Sequence, residues 1–140
     1  MLKAVAQGKA HWLFDRVTTH GTDLKRRPQE DLVTSAVFGS LDLLDEAAKR
    51  RALKLLLGHK AWQEFNPPEC NQVKIELWPQ GMRIDGGRVE PDVLLHAGDR
   101  IAIVEVKWYA PLSPDQLDKE IRAVRSFYPG KNVLAILLLG

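Results

Sequence analysis

The chain has 140 residues, 45% hydrophobic and 27% charged, with a net charge of +2. It carries enough apolar side chain for one cored domain, which excludes a disordered chain, and its overall charge is too small to define a nucleic-acid or membrane partner. A lone Cys70 excludes an internal disulfide, and with His11, His20, His59 and His96 it makes none of the spacings of a structural zinc site.

The N-terminus lacks a signal-peptide core, and no apolar run approaches the ~18 residues of a membrane span, so a cytoplasmic protein without a membrane partner is expected. Residues 1–27, with "HWLFDRVTTH", have no clear period and read as an N-terminal arm that packs a Trp and a Phe against the body. A helix is predicted to begin near Arg27 or Pro28. Pro28 suits a first helical position, Glu30 and Asp31 suit the positive end of the dipole, and Val33, Val37 and Leu41 recur at helical spacing. Gly39 is a candidate kink, and a continuation or second helix runs from about Asp42 to a stop at Gly58. Pro67 and Pro68 close this helical half.

Three runs of strand character follow: "VKIELW" (73–78), "RVEPDVLLH" (88–96) and "RIAIVEVKW" (100–108), separated by Gly81, Gly86, Gly87 and "AGDR". They predict a three-stranded antiparallel meander. Pro114 and the acids after it open a helix, "DQLDKEIRAVRSFY", with Leu117, Ile121 and Val124 as its core-facing stripe. "NVLAILLL" (132–139) is apolar on both faces, which suits a strand covered on both sides and parallel to the one before the helix. The order is helix, three strands, helix, strand: a single α/β domain, residues 1–140, with a mixed central sheet flanked by helices. The stop just after a strand is what the front part of a longer protein would show.

The meander carries charges where an apolar row is expected. Ile101, Ile103, Glu105 and Lys107 share one face of their strand. A two-residue loop of Gly98 and Asp99 pairs Ala97 with Arg100, and counting outward sets Asp92 opposite Glu105 on that same face. Carboxylates facing each other at ~4.5–5.5 Å between Cβ atoms destabilise a sheet unless something positive lies between them. A hard divalent cation fits that role, with Lys107 beside it to hold a water or a phosphate oxygen. Two bland readings compete. The same register sets Glu90 opposite Lys107 as a salt-bridge partner, and a bulge at Pro91 would separate the two acids onto opposite faces.

"EPD" on one strand and "VEVK" on the next resemble the PD-(D/E)xK nuclease superfamily, the restriction-endonuclease-like fold, through Pro91, Asp92, Glu105 and Lys107. The element order over roughly residues 28–139 is similar to that family's αβββαβ core. The resemblance implies a Mg²⁺-dependent (or Mn²⁺-dependent) nuclease that hydrolyses phosphodiester bonds in DNA. Asp92, Glu105 and the backbone carbonyl of Val106 would be its metal ligands, and Lys107 a catalytic residue. Many relatives add a glutamate from the first helix. Glu30 is the first candidate, aligned with Val33 and Val37, and Asp31, on the adjoining face with Ser35 and Phe38, is the second; either is also an ordinary dipole acid. Relatives of the λ-exonuclease type carry a catalytic glutamine at the start of the crossing helix, which matches Gln116, although the tyrosine that often follows it is absent. Lys25, Arg26, Arg27, Arg122 and Arg125 are candidate phosphate contacts, or a solvated face. No motif that reads base sequence is apparent. Homodimers and multi-subunit assemblies, both common among relatives, are the partner expectations beside DNA. The rival functions are a catalytically silent nucleic-acid-binding or assembly module and a plain α/β scaffold in which Lys107 pairs with Glu90.

Overall fold

A computed structural model describes residues 28–66, 69–107, 113 and 115–139, with the backbone alone for residues 28–30. The first helix, α1 (Pro28–Leu41), starts at a proline whose missing N–H would have had no helical acceptor, and it passes through Gly39 without ending. A separate α2 (Glu46–Leu57) follows, because Asp45 Oδ1 accepts from the Ala48 N–H at 2.9 Å and caps a new helix. Gly58, at φ +80°, ends α2 and leads into α3 (His59–Phe65), an element that the sequence had not separated. The arm, Pro67, Pro68, Trp108 and Pro114 lie outside the described residues.

Four strands form the main sheet: β1 (Lys74–Leu77), then, past a small hairpin of β2 (Arg83–Ile84) and β3 (Gly87–Arg88), β4 (Val93–Ala97), β5 (Arg100–Lys107) and β6 (Asn132–Leu139). Their order is β1-β4-β5-β6, with both pairs of the expected meander antiparallel and β6 parallel to β5 across the helix α4 (Gln116–Phe127). The sheet is therefore mixed and flanked by helices.

Three expectations need correction. The run 88–96 is not one strand. Arg88 pairs with Arg83 in the small hairpin, and β4 begins only at Val93, two residues after Pro91, which has no N–H to give a ladder. Nor is β6 covered on both sides. It pairs with β5 alone among the described strands, and Leu137 and Leu139 are 36% and 75% exposed. Apolarity on both faces does not by itself distinguish a sandwiched strand from an edge. The core-facing stripe of α4 needs correction only in part: Val124 is buried and Ile121 packs against the same core as expected, Ala123 and Glu120 join them, and Leu117 is only partly buried.

The alternation of β4 and β5 divides the core. Val93, Leu95, Ala97, Ala102, Val104 and Val106 face α1 to α3 and pack with Phe38, Leu53, Trp62 and Phe65. Leu94, Ile101 and Ile103 face α4 and pack with Met82, Ala123 and Val124. Each fully buried aliphatic or aromatic side chain contributes about 1.5–3 kcal/mol, so both faces anchor the central strands. On the α4 face this apolar row gives way to Asp92 on one strand and Glu105 on the other.

Candidate functional site

The β4–β5 hairpin turns at Gly98, whose φ of +58° suits a tight two-residue loop, and pairs Ala97 with Arg100 and Val93 with Val104. The next step outward brings Asp92 beside Glu105, as the sequence register predicts. Asp92 sits just past the end of the ladder and is held twice. Its carbonyl accepts from the Trp78 N–H at 3.0 Å, and its Oδ2 accepts from the Val106 N–H at 3.0 Å. Its side chain thus takes a β5 N–H just beyond the last ladder pair. Trp78 adopts φ +46°, a left-handed conformation unfavourable for a bulky residue, at the point where it grips Asp92.

Glu105 lies 1% exposed at the centre of the site. Its Oε1 accepts from Lys107 Nζ at 2.6 Å and from Gln116 Nε2 at 2.5 Å. Gln116, the first residue of α4, gives its other amide hydrogen to Glu120 Oε1 at 3.0 Å, one turn further along. The Oε2 atoms of Glu105 and Glu120 are buried with no hydrogen-bond partner among the described residues. The crossing helix thus closes over the two strands, and Asp92, Glu105, Lys107, Gln116 and Glu120 form one cluster.

That cluster carries more acid than base. Burial pushes the Asp92 carboxyl up to about 7, with the Glu105 charge next in effect and Asp31 adding to it, against the Val106 N–H and Lys107, which act to lower it. Burial pushes Glu120 up to about 7 as well, again with Glu105 as the strongest neighbouring charge. The donors are all carboxylate oxygens, and one of the two on Glu105 lacks a partner, a set whose chemistry suits a hard divalent cation. Among the described residues, however, no three of His, Cys, Asp or Glu stand in a ready metal-holding group. Asp92 Oδ2 is engaged by Val106, and Glu105 Oε1 by Lys107 and Gln116.

The remaining candidates divide. The Glu30 side chain, with Lys25, Arg26 and Arg27, lies outside the described residues. The buried face of α1 is Thr34, Ser35 and Phe38, while Val37 is 36% exposed, so the Val33 and Val37 face to which Glu30 was aligned is not the inward one. Asp31 belongs to the buried face by spacing and is close enough for its charge to act on Asp92. Arg122 and Arg125 are exposed on α4, and Arg122 is forked onto Asp85 at 3.1 and 3.2 Å. Glu90, proposed as an alternative partner of Lys107, bonds Arg88 and takes the Gln80 amide at 3.0 Å.

Glu120 escaped the sequence reading. A charged residue in a helix with a polar majority reads as surface; the available signal was its i+4 spacing from Gln116, which sets both on one face. No family model matches the chain, and no curated protein or solved structure matches it significantly. No helix among the described residues is long and apolar enough to cross a membrane.

Proposed function

We propose that the chain is a divalent-cation-dependent nuclease of the PD-(D/E)xK type, with a restriction-endonuclease-like core, acting on DNA. The observation that carries this reading is the meeting of Asp92, Glu105 and Lys107 at one end of one sheet face, with a buried Glu105 oxygen that lacks a partner. A scaffold has no need of two acids there, and burying two carboxylates beside a single lysine, with one Glu105 oxygen left without a hydrogen bond, is costly.

Asp92, Glu105 and the Val106 carbonyl would hold Mg²⁺ or Mn²⁺. Such an ion, when bound, lowers the pKa of a water and offsets charge on a phosphate. Lys107, whose ammonium lies 2.6 Å from Glu105 Oε1, would orient a water or a phosphate oxygen and stabilise charge that develops on it. Gln116 fixes the rotamer of Glu105, and Asp31 is the described acid of α1 best placed to join the set. Arg125 and Arg122 offer exposed positive charge to a phosphate backbone, Arg122 only on leaving Asp85.

The test is an assay of the purified chain on plasmid, linear duplex, single-stranded and branched DNA with Mg²⁺, Mn²⁺ or EDTA. The expected result is cleavage of at least one form with metal and of none with EDTA. A folded protein inactive on every form with metal would favour the silent binding or assembly module instead.

A further inference from the structure

The two edges of the main sheet differ in how they meet solvent. β1 is four residues long and carries Lys74, whose side chain is 71% exposed, and Glu76, so its open side is short and charged. Both features discourage a further strand from pairing there. β6, the opposite edge, has neither. It runs for eight residues as "NVLAILLL", with no charge, proline or glycine, and none of the eight is buried. Its neighbour β5 is buried at six of eight positions. Among the described residues β6 pairs with β5 alone, so its outer row of N–H and C=O groups faces no strand. Such a row takes an extended chain, because only another strand matches its alternating donors and acceptors.

A second copy of β6 fits that row. The register with β5 sets Val133, Ala135, Leu137 and Leu139 on the α4 face and Leu134, Ile136 and Leu138 on the other. A two-fold axis perpendicular to the sheet keeps those faces, and an axis at Ile136 sets Val133 of one copy opposite Leu139 of the other, Leu134 opposite Leu138, and Ala135 opposite Leu137. All seven apolar residues then meet apolar residues, and no like charges face each other. Leu134 of one copy also comes beside Leu138 of the other at the edge of an apolar groove of about 120 Å³ between α1, α2 and the ends of β5 and β6. Val37 and Leu56, 36% and 37% exposed, flank that groove. A stable dimer buries roughly 1,200 Å² or more in total, and the groove and its flanks extend the contact beyond the strand pair.

We propose that β6 is a dimerisation edge, at which two copies of this chain join by antiparallel pairing of their β6 strands about a two-fold axis at Ile136. Two four-stranded sheets become one continuous sheet. The pairing does not depend on the reading of Asp92 and Glu105 as a cation site.

The experiment is sedimentation equilibrium of the full chain, from micromolar to high micromolar concentration, on wild type and Ala135→Lys/Leu137→Lys, with thermal melts to confirm folding. Ala135 and Leu137 are exposed and face each other across the axis, so the double variant sets lysine against lysine twice. The expected result is a wild type of twice the 15.8 kDa of one chain. The double variant should be monomeric, its self-association weakened ~10²-fold or more. Should it not fold, Ile136→Cys in a Cys70→Ser background decides. A residue on the axis faces its own copy at ~4.5–5.5 Å between Cα atoms, within reach of a disulfide, so mild oxidation should link two chains. Ser126→Cys, exposed on α4, should not link. A wild type monomeric throughout would overturn the proposal and leave the edge to a different strand. A dimer undiminished in the double variant, an Ile136→Cys that fails to link, or open aggregates that grow with concentration would overturn it as well.

Discussion

Lys107 is the residue whose role separates chemistry from structure. It touches Glu105 at 2.6 Å from a strand end, so Lys107→Ala removes an ion-pair partner and, under the proposed function, the ammonium that would face a phosphate. We expect cleavage to fall ~10²-fold or more, as for loss of a group that stabilises transition-state charge. Mn²⁺ should still raise the melting temperature of this variant, because Lys107 is not a ligand; unchanged cleavage rates would remove it from the chemistry. The acids make a separate prediction about pH. Asp92 and Glu120 titrate at about 7 in the fold, against ordinary values of 3.8 and 4.5, so between about pH 4 and pH 7 the native state holds protons that the unfolded chain has released. Their contribution to metal-free stability is full below about pH 4 and is lost as the pH rises through 7. His96 acts in the opposite sense: burial lowers it from 6.5, so it costs stability as the pH falls below that value. Melts in EDTA should therefore show the melting temperature falling from about pH 5 to pH 8 in wild type. The double variant Asp92→Asn/Glu120→Gln should lose that fall, leaving the opposite slope from His96. The same fall in both proteins would contradict the assignment.

The β4–β5 hairpin is the element that makes the site, and it was also the most legible in the sequence. Gly98 and Asp99 between alternating apolar runs fix the turn, the turn fixes the register, and the register brings Asp92 to Glu105. Gly98 sits at φ +58°, so Gly98→Ala should cost about 1 kcal/mol, measurable by urea unfolding; no loss would mean that the turn is not of this kind. The helices were legible in extent and less so in facing. Val33 and Val37 outline a plausible apolar stripe, yet α1 buries Thr34, Ser35 and Phe38, because two small polar residues can tuck beneath a helix whose large anchor is the phenylalanine. Glu120 was illegible for a related reason: only the three-dimensional meeting of α4 with β5 shows that a carboxylate occupies a core position. The boundary between α1 and α2 turned on Asp45, whose cap on Ala48 became apparent only with the structure. Asp45→Ala should cost about 1 kcal/mol of stability.

Across the whole molecule the sheet divides labour between its faces. The face toward α1, α2 and α3 is packed by Phe38, Leu53, Trp62 and Phe65 and gives the strands a rigid backing. The opposite face is apolar at one end, under Ala123 and Val124, and acidic at the other, where α4 brings Gln116 and Glu120 down onto Glu105. A site set on the central strands of a braced sheet is held by the same burial that holds the fold, whereas its charges oppose that burial. The central claim is that a divalent cation resolves this opposition at Asp92 and Glu105. Its most direct test is thermal unfolding of wild type and Glu105→Gln, each with EDTA and with excess Mn²⁺. At a metal concentration about 100 times the dissociation constant, binding to the folded state adds about 2.7 kcal/mol, a rise on the order of 10 °C for a chain of this size. The account predicts that rise in wild type and the loss of most of it in Glu105→Gln. Equal metal-induced shifts in the two proteins, or none in wild type, would contradict it.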